Sequence, residues 1–298
     1  LFAASLLSAI SGFLFTAGHA AAGTRWSLKS SPHFEIYHEP SWQPQSVELE
    51  MERLYGKLRF NVSMFAPWMT REKTRIYIYG TRESYLGGEF KPPKWSKELA
   101  FFSEKTVVVY DTGDMAKLRA VIVHELSHLY FESFYGERLK YPPSWLNEGL
   151  AVMLENLSYN GDGPWTQALK YGDPGNLLPP ESFFRTDPSA LDSDTRISYW
   201  YLQAFGLVSY LYRPGKRLQF MNFCSLLRKG RSLDSALWEA YRISGLAGLE
   251  GNWEKWLVVY RNGDPNGLSS DFASTGHEFK PAEFHRFVLT GPGAAGPR

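Results

Sequence analysis

Val121-Ile122-Val123-His124-Glu125-Leu126-Ser127-His128-Leu129-Tyr130 lies at the centre of a run, from about residue 114 to 135, that reads as one helix. Leu118, Val121, Ile122, Leu126, Leu129 and Phe131 place apolar surface on more than one side, so the helix is expected to be buried. His124 and His128 stand one turn apart on the same face, which lets two imidazoles converge on one ion. Glu125 points about 100° away around the helix, beside the ion's open position and outside its ligand set. His-Glu-x-x-His is a metal-site pattern for that reason. Two core histidines bonded to backbone, with a glutamate on the helix face, would spell the same letters, so the downstream sequence has to decide.

Zinc needs a third protein ligand and one open position to act on a substrate. Phe131 and Phe134 stand where a third histidine would have to be prepared and supplied, so that extension is absent. Instead the chain reads Pro142-Pro143-Ser144-Trp145-Leu146-Asn147-Glu148-Gly149-Leu150-Ala151-Val152-Met153-Leu154-Glu155. The intervening length lets the first helix end near Gly136, a loop pass the two prolines, and a second helix return antiparallel. Glu148 would then sit in its first turns, facing the histidines. Glu132 competes for the same role. It lies two turns beyond His124, about 12 Å along a helix, too far to share an ion through bonds of about 2 Å. It reads as a solvated acid or as one lying behind the ligands.

His124-Glu125-Leu126-Ser127-His128 followed by Trp145-Leu146-Asn147-Glu148-Gly149-Leu150-Ala151 resembles the gluzincin metallopeptidases. The second block is close to that of the aminopeptidase-N family, and the whole layout is similar to bacterial peptidase-MA-like domains. The resemblance is tightest over 121–155 and extends more loosely from about residue 33 to 259. It implies one Zn2+ per chain, held by His124, His128 and Glu148, with Glu125 as general base in peptide-bond hydrolysis. It also implies an oxyanion-stabilising tyrosine in a later helix. Tyr201-Leu202-Gln203-Ala204-Phe205-Gly206 resembles the corresponding stretch, which points to Tyr201, with Tyr199 as the alternative. The Gly-x-Met-Glu-Asn segment with which aminopeptidases bind a free amine has no counterpart between Gly80 and His124. Endopeptidase action on a peptide or protein, or a narrow peptide substrate, is expected over aminopeptidase action. A non-catalytic envelope protein using the scaffold to bind peptide or cell-wall partners is the alternative.

The rest of the chain fits an α+β class: a small mixed sheet, the active-site helix, then a mainly helical half, which is a zincin-like order. Residues 33–39, 74–79, 100–102 and 106–110 read as strands, giving a sheet of about four, with 103–105 as a turn. Residues 47–65 read as a helix, and Asp114 as the N-cap of the active-site helix. The resemblance implies that 100–110 lies along the cleft and pairs with extended substrate. Gly87-Gly88 and Pro92-Pro93 mark a loop, and 156–197 is punctuated by Gly and Pro. Further helices are expected over 198–211, 217–229, 233–241 and 249–260. The expected domain is 26–262, β-rich to about 112 and helical after it, with an irregular tail over 263–298.

Composition narrows the function classes. At 298 residues, 44% hydrophobic and 16% aromatic, the chain has ample material for a large core. A net charge of +1 gives no global field for nucleic acid, and the run Lys91-Pro92-Pro93-Lys94-Trp95-Ser96-Lys97 reads as a solvated loop. A single cysteine, Cys224, excludes an internal disulfide and sits in an amphipathic segment as a buried apolar group. Residues 1–22 carry no Asp, Glu, Lys or Arg and end in Ala20-x-Ala22, which reads as a secretory signal. Export to a periplasmic or extracellular space is expected, with membrane association through 1–22 as the alternative.

Overall fold

The computed structural model describes residues 25–262 except 93–97, 102, 137–140 and 160–161. The 1–22 segment and the 263–298 tail lie outside the described residues, as do Phe102 and most of the Lys91–Lys97 run. Among the described residues, no helix is long and apolar enough to cross a membrane.

Five strands form one mixed sheet: β1 (Ser27–Ser30), β2 (Phe34–His38), β3 (Thr74–Tyr79), β4 (Glu98–Phe101) and β5 (Thr106–Tyr110). Their spatial order is β1-β2-β3-β5-β4. The central pairs β2–β3 and β3–β5 are parallel, and the outer pairs β1–β2 and β5–β4 are antiparallel. The sheet therefore has one strand more than expected, and β1 is the addition. Ser27–Ser30 alternates between half-buried and exposed, as suits an outer strand, and lacks the apolar run that marks β3 or β5. Of the segment expected to meet substrate, β5 is covered on both sides, and among the described residues no strand pairs with the outer edge of β4.

Strand alternation gives the sheet two unlike faces. Phe34, Ile36, Ile76, Ile78, Val107 and Val109 join the main core. Tyr79, Tyr85 and Val108 form a second, aromatic cluster on the other face, rimmed by Trp26, Tyr77, Phe90 and Phe101. On β4, Ala100 packs against the main core while Leu99 and Phe101 pack against the second cluster. Glu98 shares the face of Ala100 and lies opposite Val109.

The main core is built by helices α1 (Val47–Val62) and α3 (Met115–Gly136) on the sheet, and by a helical half that follows. Asp114 caps α3 as its sequence position predicts: its Oδ1 accepts from the backbone of Ala116 at 2.9 Å and Lys117 at 3.2 Å. After α3 come α4 (Ser144–Asn156), α5 (Pro164–Tyr171), α6 (Pro180–Phe183), α7 (Asp194–Tyr212), α8 (Arg217–Arg228), α9 (Leu233–Tyr241) and α10 (Gly245–Asn262). A short α2 (Arg82–Gly87), which was not expected, runs up to the Gly87-Gly88 break and is opened by a Thr81–Ser84 capping box.

Helix α4 packs on both α3 and α7. Gly149 sets the closeness of the second contact, because a Cβ there would lie 2.4 Å from the Ala204 carbonyl oxygen and 2.6 Å from Val208 Cγ2. Gly149→Ala is expected to push α4 off α7 and to cost about 1–3 kcal/mol in urea unfolding, the range for overpacking a filled core. An unchanged unfolding midpoint would mean that the two helices separate freely.

Candidate metal centre

The two histidines and Glu148 meet because α4 crosses α3 at the level of His124 and His128. His128 Nε2 lies 3.1 Å from His124 Nε2. Glu148 Oε2 lies 3.5 Å from the first histidine's Nε2 and 3.7 Å from the second's. Ligands on a tetrahedral zinc, with bonds of about 2.0–2.1 Å, stand roughly 3.3 Å apart. Among the described residues, His124, His128 and Glu148 form a group of possible ligand atoms within 4.8 Å of one another. Glu132, the competing acid, does not join them.

The chemistry of the three donors fits a cation. Glu148 is fully buried, yet neither carboxylate oxygen has a hydrogen-bond partner of good geometry. A buried carboxylate left this way costs several kcal/mol unless a positive charge faces it. Burial pushes the His128 pKa down to about 4, outweighing Glu148, so its ring is neutral near pH 7 as a ligand must be. Burial acts in the same direction on His124, but the adjoining Glu148 and Glu155 outweigh it and hold this ring well above its usual value. That preference describes the proton that a metal would replace.

Glu155 was not foreseen as part of the site. Its Oε2 is 3.0 Å from His124 Nδ1, and its Oε1 accepts from Trp165 Nε1 at 3.2 Å. With Nδ1–H donated to this carboxylate, His124 keeps its Nε2 lone pair for the ion. The signal was present in the sequence: Glu155 follows Glu148 by two helical turns and so shares its face.

Glu125 is 7% exposed and is not among the converging ligand atoms. Burial first, then the neighbouring Glu98 on β4, push its pKa well above the carboxylate range, against the pull of His124. Both effects raise the proton affinity of this carboxylate.

Tyr201 and Tyr199 part company on α7. Tyr201 is buried, and after burial itself the charges of Glu148, Glu98, Asp187 and Glu125 raise its pKa well above the phenol value. Its hydroxyl therefore stays protonated beside the acids of the site. Tyr199 is buried as well, and Arg261 of α10 lies near enough to feel it. Gln203 hydrogen-bonds both ways to the backbone of Leu178, at 3.0 and 2.9 Å, and pins the 177–178 segment to α7.

Glu132 corrects the solvated reading of that acid. It is buried on α3 and accepts a 2.6 Å hydrogen bond from Asn147 Nδ2. Burial raises its pKa to about 7, with Asn147 opposing and Glu148 adding to the rise.

No curated protein matches the chain. Residues 67–259, more than half of the chain and inclusive of every residue of the site, match the family model described as the Peptidase MA superfamily.

Proposed function

The chain belongs to the Peptidase MA superfamily and carries a metallopeptidase-like domain, and from that premise we propose that it is a zinc-dependent endopeptidase. The observation that carries the reading is the convergence of His124 Nε2, His128 Nε2 and Glu148 Oε2, with the buried Glu125 carboxylate beside them. These three side chains would hold the ion. Zinc bound there supplies Lewis acidity, bringing the pKa of a water toward 7 and polarising the peptide carbonyl.

The chain's own groups do the rest. Glu125 accepts a proton from the water whose oxygen bonds to the scissile carbon. It then delivers that proton to the amine nitrogen as the C–N bond breaks. Tyr201, kept protonated by burial and by the acids around it, donates to the carbonyl oxygen as negative charge develops there. Glu155 keeps His124 in the tautomer that faces the ion. The outer edge of β4 offers backbone hydrogen bonds to an extended peptide, which gives affinity with little demand on its side chains. No Gly-x-Met-Glu-Asn segment precedes α3, and this supports internal cleavage over removal of an N-terminal residue. The uncharged 1–22 segment supports an exported protein.

The test is hydrolysis of a broad peptide library by protein stripped with a chelator and then given zinc. Cleavage at internal bonds should vanish on stripping and return with the metal. Full zinc loading without any cleavage would overturn the enzyme reading and favour a scaffold that binds peptide.

A further inference from the structure

His128 has a second side, away from the ligand atoms, and what stands there is built from two helices. Asn147, on α4 just before Glu148, is buried and donates its Nδ2 to Glu132 Oε1 at 2.6 Å. Glu132 lies one turn past His128 on α3. Two buried polar atoms of these groups are left over: His128 Nδ1 and Asn147 Oδ1 have no partner that meets strict hydrogen-bond geometry. Asn147 is nevertheless the side chain whose hydrogen bonding acts on the His128 ring. The two leftover atoms are complementary if Nδ1 carries the proton.

We propose that Glu132, acting through Asn147, fixes the His128 tautomer that presents an unprotonated Nε2 to the metal. An amide side chain can turn over and exchange its oxygen and nitrogen, so on its own Asn147 could face His128 with a donor or an acceptor. Above the pKa of about 7 to which burial raises it, Glu132 is ionised, and an ionised carboxylate only accepts. Facing Glu132, Asn147 must turn its NH2 that way, and its oxygen is then the atom left for His128. An acceptor at that position calls for Nδ1–H on the ring. The opposite tautomer would set two lone pairs against each other in a buried space. It would also put a proton on Nε2, 3.1 Å from His124 Nε2 and on the side where the ion binds. His124 thus takes its orientation from Glu155 directly, while His128 takes it from Glu132 through an amide. Glu132 is a positioning residue and touches no reacting atom.

For its effect on metal affinity this inference rests on the zinc-site reading; for the tautomer it does not. Glu132→Met keeps size and burial but removes the acceptor, so the Asn147 NH2 is free to turn toward His128. Two readouts are measured on the full chain at about pH 8.5, where Glu132 is ionised: zinc affinity by competition with a chromophoric chelator, and the His128 tautomer by 15N NMR of the ring in metal-free protein. Wild type should show Nδ1–H. Glu132→Met should shift the ring toward Nε2–H and bind zinc about 10- to 100-fold more weakly. Adding Asn147→Asp to that variant supplies a fixed acceptor and returns the missing negative charge, and should restore both readouts.

If the methionine disrupts the fold, Glu132→Gln replaces it; its amide can offer Asn147 either group, and both tautomers should appear. Nε2–H in the wild type would overturn the relay, whatever the metal does. So would unchanged zinc affinity in Glu132→Met, or a loss that Asn147→Asp fails to rescue, since a merely structural Glu132 would not be replaced by an acid on the other helix. Wild type that shows Nδ1–H but binds no zinc would sink the metal-centre reading and leave the relay standing.

Discussion

Glu125→Gln is expected to fold, to hold zinc as the wild type does, and to hydrolyse any accepted peptide at least ~100-fold more slowly. The substitution keeps size and hydrogen bonding and removes only the capacity to accept a proton. Glu125 contributes none of the converging ligand atoms, so metal content should not change. Stability should not fall either. The wild-type carboxylate is buried and repelled by Glu98, and both effects already disfavour its charge. A neutral amide relieves them, so the melting temperature of the variant should equal or exceed that of the wild type. Full activity in Glu125→Gln would show that hydrolysis takes another route, and loss of zinc would return Glu125 to the ligand set.

Glu148→Ala should lose most of the bound zinc, and with it the stabilisation that zinc confers. Two imidazoles remain, but they are too few to hold zinc as the three-ligand site does. Zinc that binds only the folded wild type stabilises it by about 2.7 kcal/mol at a concentration one hundred times Kd. Thermal unfolding of the wild type should therefore shift upward as zinc is added, while that of Glu148→Ala stays flat. The difference does not depend on finding a substrate. Full zinc retention in the variant would place the third ligand elsewhere and detach α4 from the metal centre.

What could be read in the sequence was what a single helix encodes. His124, Glu125 and His128 are fixed relative to one another by helical geometry alone, whatever surrounds them. Glu148 needed one further step, the antiparallel return of α4, which chain length and the Pro142-Pro143 break made readable. Glu155 and Asn147 needed the crossing itself, since their partners lie on another helix and become neighbours only when α3 and α4 pack. The same limit governs the tyrosines. Tyr199 and Tyr201 are alike in sequence context, and only the packing of α7 brings the charges of Glu148, Glu98 and Glu125 to bear on Tyr201.

Among the elements, the long amphipathic helices and the β3 and β5 runs were plain. The short helices were hidden by their own start signals. Pro164 and Pro180 read as breaks in the 156–197 stretch, yet each occupies the first turn of a helix, where its missing N–H costs nothing. β1 was missed because half its residues face solvent and it gains its place from pairing with β2.

X-ray absorption at the zinc edge of the purified wild-type protein tests the centre most directly. The account predicts about one zinc per chain, with two imidazole nitrogens at roughly 2.0–2.1 Å and a carboxylate oxygen at roughly 2.0–2.2 Å. A single imidazole, a sulfur shell at roughly 2.3 Å, or protein that takes up no zinc would contradict it.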